Sequence, residues 1–440
     1  MSYKIIDLPA LGRPFNATDI IEVSANGTGS YKANIGNFTL GGTNYIFVNA
    51  NGTPAQNGAA VKSAYTAAQA MTPNGNPISS FNRVVILLAP GYYTFNEAVD
   101  GPFTVDQSYI DFESLSGNPD VYFSSIQVDS TGGGINVFLS GIDTTKNFFY
   151  THAAFAITTE AGGNENIVVT NCVGGDYSFS SFSQGFKGSY TNCFGGSYSF
   201  CSTGDGSTPA GITAFSVTGN FENFGSIKNC TASSFSFVSG IDSISAPAGT
   251  INNYSTIENC KGVSNSFCYS EFRVLNAGTI QNCEGRDFVF AATNDVINNG
   301  SSLNTGSIIN CTAVDSSICF YAGSSIANAS AFNQGFISNC RVTDAGAFGI
   351  VINDGFIIGL NSGQILNCYI NGAGFCGENG QNSGLIIECI ASATSFCNNN
   401  SSWILNDILR CTLLADTFSV GATGGGRIVL GIDTTGVVNI

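Results

Sequence analysis

The stretch GSIKNC, residues 225–230, returns along the chain as STIENC (255–260), GTIQNC (278–283), GSIINC (306–311), GFISNC (335–340) and GQILNC (363–368). Aligning on its cysteine gives ten units, at Cys172, Cys193, Cys230, Cys260, Cys283, Cys311, Cys340, Cys368, Cys389 and Cys411. The spacings vary from 21 to 37 residues, which excludes a rigid helical repeat and indicates loops of unequal length set into a common coil. Immediately before the cysteine stands Asn in eight units, Asn171, Asn192, Asn229, Asn259, Asn282, Asn310, Asn339 and Asn367, replaced by Glu388 and Arg410 in the last two. Three residues before it the side chain is Val169, Tyr190 or, from Ile227 onward, isoleucine.

Further columns follow the cysteine. Phe179, Phe200, Phe237, Phe267, Phe290, Phe375, Phe396 and Phe418 recur near one place, and Cys201, Cys268, Cys319, Cys376 and Cys397 form a second thiol column eight residues after the first. Identical residues at one place in successive units mean that each unit lies on the last. A coil of roughly 22–28 residues, built from short strands stacked at about 4.8 Å, predicts an all-β fold, a right-handed parallel β-helix or solenoid, with a shaft of roughly 50 Å. In it the Asn takes the left-handed backbone that a tight bend needs and its amide bonds to the amides above and below. The Cys turns inward as a small hydrophobe.

Composition agrees with a coil of strands and turns. Of 440 residues only 10% are charged, while Gly contributes 54 and Phe 34. The net charge of −16, with no Lys/Arg run, argues against nucleic-acid binding, which needs clustered cations. The start MSYKIIDLPALG lacks a signal-peptide pattern, and Val84–Leu88, the longest aliphatic run, is far too short for membrane insertion. Fifteen cysteines, an odd number, leave at least one thiol unpaired. Stacked cysteines would lie within disulfide reach, but the count and the missing signal favour reduced core thiols.

Four segments are expected. Residues 1–42 form a small N-terminal module with strands in DIIEVS and SYKANIGNF. Residues 43–100 form the β-helix entry, with an amphipathic helix in AAVKSAYTAAQAM that turns Val61, Ala64, Tyr65, Ala68 and Met71 to one side and covers the open end of the coil. Residues 101–420 form the shaft, and 421–440 a C-terminal cap strand.

The order YIFVNANGT, AAVKSAYTAAQA and VVILLAPGYYTF, followed by Ile-x-Asn-Cys coils over residues 44–420, resembles the pectin-lyase-like superfamily of right-handed parallel β-helices. Residues 1–42, with IIDLP and GSYK, resemble the attachment module of phage tail fibres and tailspikes. The resemblance implies a virion protein assembled in the host cytoplasm, docked to other tail proteins through residues 1–42, homotrimeric, and contacting host-surface glycans.

Many β-helices of that superfamily cleave polysaccharides, and inverting hydrolysis needs two carboxylates about 6.5–9.5 Å apart. The chain has no Asp-Asp pair or Gly-His-Gly, and its single histidine is His152. Isolated acids stand near coil loops, among them Asp176, Glu222, Glu258, Glu271, Glu284, Asp287, Asp315, Asp344 and Asp354, and a pair such as Glu258 with Glu284, near the same column of adjacent coils, could approach closely. They read as solvated surface acids, so no catalytic residue, cofactor site or metal site is assigned. The sequons at Asn229 and Asn310 fall on an Asn column expected to be buried and are not read as glycan sites. Tyr198, Tyr254, Tyr269 and Tyr321 are candidates for stacking on sugar rings. The reading is a non-enzymatic tail fibre or spike component. A depolymerase tailspike, either hydrolase or lyase, and an extracellular adhesin or filament subunit are the alternatives.

Overall fold

The structure is a computed structural model. It describes residues 43–95, 103–129 and 134–145, the strands of residues 1–42, and from residue 155 onward the strands and bends of the coils. Most loops between coils, with His152, Glu271, Asp287, Asp315, Asp344, Asp354, Phe375, Phe396, Phe418, Cys201, Cys319, Cys376, Cys397, Tyr198 and Tyr321, lie outside the described residues, as does the side chain of Tyr269. The chain divides into two compact units, one of Met1–Gln127, Ile135–Tyr150 and Asn166–Val173, the other of Val128–Gly134, Thr151–Glu165 and Gly174–Ile440.

In the first unit Lys4–Ile5, Ile20–Ser24 and Ser30–Asn34 make a three-stranded antiparallel sheet. Coiling begins at Thr43–Val48, which pairs in parallel with Val84–Leu88; Ile110–Ser114, Asn136–Ser140 and Asn166–Thr170 continue that sheet. Gly91–Tyr93, Val121–Phe123 and Ile142–Asp143 form a second parallel face. Helix α1 spans Pro54–Gln69, starting earlier than the apolar periodicity suggests. Thr53 and Gln56 form a reciprocal capping box with Pro54 in the first turn, a start signal independent of hydrophobic pattern. Val61, Ala64, Tyr65 and Ala68 are buried as expected, while Met71 falls beyond the helix end. The Tyr65 hydroxyl donates to Asp106 Oδ1 at 2.9 Å. Gly58 brings α1 against the chain just after Gly91–Tyr93: a Cβ there would sit 2.1 Å from the Thr94 carbonyl oxygen.

In the second unit each coil visits the same faces in turn. One coil runs Thr250–Asn253, Thr256–Glu258, Lys261–Ser264 and Tyr269–Ser270, and the next begins at Arg273–Asn276, paired in parallel on Thr250–Asn253. The first face is a nine-stranded sheet from Gly185–Phe186 to Trp403–Ile404. The second face runs within this unit from Ser189–Thr191 to Ile428–Val429. The third is a nine-stranded sheet beginning at Lys261–Ser264, whose last pair, Gly431–Asp433 with Gly436–Val438, turns antiparallel and ends the stack. The fold is therefore all-β with long parallel sheets, a parallel β-helix. The apolar positions read from the repeat point inward: Ile227, Ile257, Ile280, Ile308, Ile386 and Ile408 are fully buried, each flanked by outward neighbours as a period of two requires.

The corner between the first and second faces is set by glycine. Gly278, Gly306, Gly335, Gly363 and Gly384 stack one over another, and a Cβ on any of them would meet the carbonyl oxygen of the preceding coil's corner at 2.0–2.1 Å. Gly306→Ala should therefore force the coils apart and lower stability by about 1–3 kcal/mol, the usual cost of overpacking. Calorimetric melting of the variant beside a loop control checks it; an unchanged melting temperature contradicts the close approach.

Candidate functional site: the corner columns and the outer faces

The corner between the second and third faces is made by Asn. Asn171, Asn192, Asn229, Asn259, Asn282, Asn310, Asn339 and Asn367 all have φ between +50° and +54°, and Glu388 and Arg410 keep that conformation at +54° and +53°. Among non-Gly residues Asn enters this region most readily. Its own N–H still serves the next coil, as Asn282 N donates to the Ile309 carbonyl at 3.0 Å. The side chain of Asn229 donates to Asn192 Oδ1, Asn259 to Asn229 and Asn282 to Asn259, each at 3.1 Å; Asn310 donates to Asn282 at 3.2 Å and Asn367 to Asn339 at 2.7 Å. Asn171 Nδ2 lies 3.5 Å from the Gly117 carbonyl. Contrary to expectation this column is not buried: the bends at Asn229 and Asn310, where the sequons fall, are exposed, because a left-handed residue at a convex corner sends its side chain outward.

A second amide column, buried, lies at the glycine corner. Asn223, Asn253, Asn276, Asn304, Asn333, Asn361 and Asn382 are at most 6% exposed. The side chain of Asn223 donates to Asn253 Oδ1, Asn253 to Asn276 and Asn276 to Asn304, each at 2.8 Å; Asn304 donates to Asn333 and Asn333 to Asn361 at 2.9 Å, and Asn361 to Asn382 at 2.7 Å. Every one of these Asn stands six residues before the Asn, or Glu388, of the outer corner. That constant spacing, Asn-x-[Gly/Ser]-x-Ile-x-Asn-Cys, is the signal from which the column could have been found.

Behind the outer corner Cys172, Cys193, Cys230, Cys260, Cys283, Cys311, Cys340, Cys368, Cys389 and Cys411 are buried free thiols, with Cys268 of the second column. From Cys230 to Cys368 each Sγ lies 3.2–3.3 Å from the carbonyl two residues back. Burial pushes the thiols of Cys230, Cys283, Cys311 and Cys389 up, so little thiolate forms and they are poor nucleophiles. Phe179, Phe200, Phe237, Phe267 and Phe290, all with positive φ, stack on one another with centroids 4.8–5.1 Å apart and are fully buried.

The acids are brought together differently from the pairing the sequence suggests. Glu258 lies on the second face, in register with Gln281, and pairs with Lys228 at 3.2 Å. Glu284 lies on the third face and pairs with Lys261 at 3.0 Å. The two carboxylates are on different faces because the Asn corner intervenes. Asp176 Oδ1 accepts from Ser197 N at 2.7 Å, and Glu222 sits on the first face, in register with Asn252. Among the described residues no cluster of His, Cys, Asp and Glu is arranged to hold a metal ion, and no helix is long and apolar enough to cross a membrane.

In the first unit sequence reasoning missed a buried ion pair. Asp111, 3% exposed, is held by both the Arg83 guanidinium and the Phe138 N–H at 2.8 Å, and Arg83 Nη1 also donates to Asn136 Oδ1 at 2.8 Å. Two residues along the same strand face, Glu113 has no such cation among the described residues; burial, and after it the Asp111 carboxylate, raise its pKa. On the surface of the second unit Phe224 and Tyr254, 45% and 40% exposed, stack on adjacent coils with centroids 5.1 Å apart.

No family model and no characterised protein matches this sequence. Among solved structures the chain is similar to ORF18 of Geobacillus virus E2, at 11% identity and a TM-score of 0.20 over 88% of this chain; the match spans 62% of that protein.

Two predictions follow from burial. Asn304→Ala strands amides on the coils above and below, each worth about 1–3 kcal/mol when buried without a partner, whereas Asn310→Gly, which keeps the left-handed bend, loses a solvated bond; the first variant should melt well below the second, and equal melting points would contradict the difference in burial. For Glu113 the folded pKa lies above the unfolded one, so stability falls as pH rises from the unfolded value through the folded one, and the cost is absent only below the unfolded value. Glu113→Gln should raise the melting temperature at neutral pH and lose that advantage in acid; a destabilised variant at pH 7 would reverse the assignment.

Proposed function

We propose that this chain is a phage virion-surface protein, a tail fibre or spike component that combines a small N-terminal module with a stiff coil stack and contacts host-surface glycans without cleaving them. The observation that supports it most is the register of the second face: each strand from Ser226–Lys228 to Leu385–Ile387 pairs with the next without a shift, isoleucine on isoleucine. Such a stack resists bending, and its outward residues are free to carry recognition. The strands of residues 1–42 and their resemblance to attachment modules support docking to other virion proteins, with assembly in the host cytoplasm. Exposed, stacked Phe224 and Tyr254 suit carbohydrate, since pyranose rings pack on aromatic surface. The ion pairs on Glu258 and Glu284 favour a binding role for this surface over acid-base chemistry, because each carboxylate faces a lysine and, among the described residues, has no neighbouring carboxylate on its own face.

Two measurements test the proposal. Gold-labelled antibody raised against the purified chain should decorate the tail end of intact particles; particles that remain unlabelled overturn the virion assignment. The purified chain should be retained by host-wall or capsular polysaccharide and release no new reducing ends or unsaturated sugar. Reproducible product release would replace glycan binding by depolymerisation.

A further inference from the structure

The sheet of the first unit formed by Gly91–Tyr93, Val121–Phe123 and Ile142–Asp143 carries aromatic rings on its outer side. Tyr92 stands in register with Tyr122, and Tyr122 with Asp143. Their inward neighbours Tyr93 and Phe123 are buried and meet edge to face at 5.6 Å. The outer rings of Tyr92 and Tyr122 stack with centroids 4.7 Å apart, and Tyr92 stays 52% exposed. Gly91–Tyr93 is an edge strand of this sheet, so no further strand of the sheet lays a ring against Tyr92.

Two outward tyrosines side by side are, taken alone, ordinary strand packing. Here the backbone beneath them is also held from several sides. Gly91, at φ +151°, admits no side chain, because a Cβ would sit 2.4 Å from Ala50 Cβ. Its N–H donates to the Asp120 carbonyl at 3.0 Å. Asn57 of α1, 4% exposed, donates from Nδ2 to the Tyr92 carbonyl and accepts from the Gly52 N–H, each at 2.9 Å. Rings on so fixed a backbone lose little freedom when a ligand packs on them. A hydrogen-bond acceptor stands at the start of the Tyr122 strand: Asp120 takes Ser114 Oγ on one oxygen at 2.7 Å and Ser116 Oγ on the other at 2.6 Å. A carboxylate offers about four lone-pair positions, so Asp120 can accept further hydroxyls, and Ser116 beside it is exposed.

We infer that Tyr92 and Tyr122 are a binding platform for an uncharged pyranose oligosaccharide, whose apolar C–H face lies on the exposed Tyr92 ring while its hydroxyls donate to Asp120. The ring surface supplies the apolar contact and the carboxylate the orientation, a pairing that suits a sugar better than a wholly apolar ligand. Charge narrows the class. The three strands with Asp120 contain two carboxylates, Asp120 and Asp143, and no Lys or Arg, on a chain of net charge −16. A uronate or sialate would bring like charge against them, whereas a neutral sugar meets no such repulsion. The inference rests on the glycan contact proposed above and narrows it, to a platform in the first unit and to sugars without charge.

Titration calorimetry of the full chain with cellohexaose, chitohexaose and hexagalacturonate tests it. A neutral hexasaccharide should bind and hexagalacturonate should not. Tyr92→Ala/Tyr122→Ala should weaken that binding by about tenfold or more, while Tyr92→Phe, which keeps the ring, should stay within about threefold of wild type. Nitration of Tyr92 in the wild-type chain, read by peptide mapping, should slow when the bound hexasaccharide is present, which gives a result even where the double variant does not fold. Binding of hexagalacturonate alone, no binding of either neutral sugar, a folded double variant that binds as wild type does, or nitration unaffected by ligand overturns the inference. Retention on host-wall or capsular polysaccharide, measured alongside, separates the two levels: a double variant retained like wild type removes the platform and leaves glycan contact standing, and a wild type that is not retained removes both.

Discussion

A primary amide buried in a protein must find hydrogen-bond partners or cost its desolvation energy. At the glycine corner it finds them in its own repeat. Asn276 Oδ1 accepts from Asn253 and its Nδ2 donates to Asn304, so from Asn223 to Asn382 no coil satisfies its corner alone and each satisfies its neighbour's. The backbone takes part, since the Asn253 carbonyl accepts both Ala277 N and Gly278 N at 2.8 Å. This fixes the register of each coil against the next. Loops of very different length can then be inserted elsewhere in the coil, as the cysteine spacings show, without the corner columns moving.

The two amide columns run in opposite senses. In the buried one each Nδ2 points toward the C-terminal neighbour, and in the exposed one toward the N-terminal neighbour. Their dipoles oppose, so neither end of the stack accumulates the field that a single aligned row would build. The roles differ too. The buried column enforces pairing through the cost of an unmet amide, while the outer column mainly supplies residues that tolerate a left-handed bend. That is why Glu388 and Arg410 can stand in the outer column: they keep the backbone conformation and exchange an amide bond for an ion pair.

The fold was open to reading in the sequence because Ile-x-Asn-Cys joins a strand, a bend and an inward small residue in consecutive positions. Gly306 and its neighbours were visible as residues, but the carbonyl that bars a side chain there belongs to another coil and appears only in three dimensions. The buried Asn column is harder to see in the sequence because the residue after it varies, from Phe224 and Tyr254 to Ala277 and Gln334, while the cysteine column is nearly invariant in its surroundings. Glu258 and Glu284 looked like a pair because their distances from the cysteine are similar, but they stand on opposite sides of the Asn corner and so on different faces. The early start of α1 was written in Thr53, Pro54 and Gln56 rather than in apolar spacing.

The central claim is that neighbouring buried amides bond to each other across coils. A double-mutant cycle measures it directly, using Asn276→Ala and Asn304→Ala singly and together, beside Asn276→Ala with Asn361→Ala. Adjacent positions should couple by about 1 kcal/mol or more, the double variant losing less than the sum of the singles, while the distant pair should be additive within about 0.5 kcal/mol. Additive losses at the adjacent pair would contradict the account.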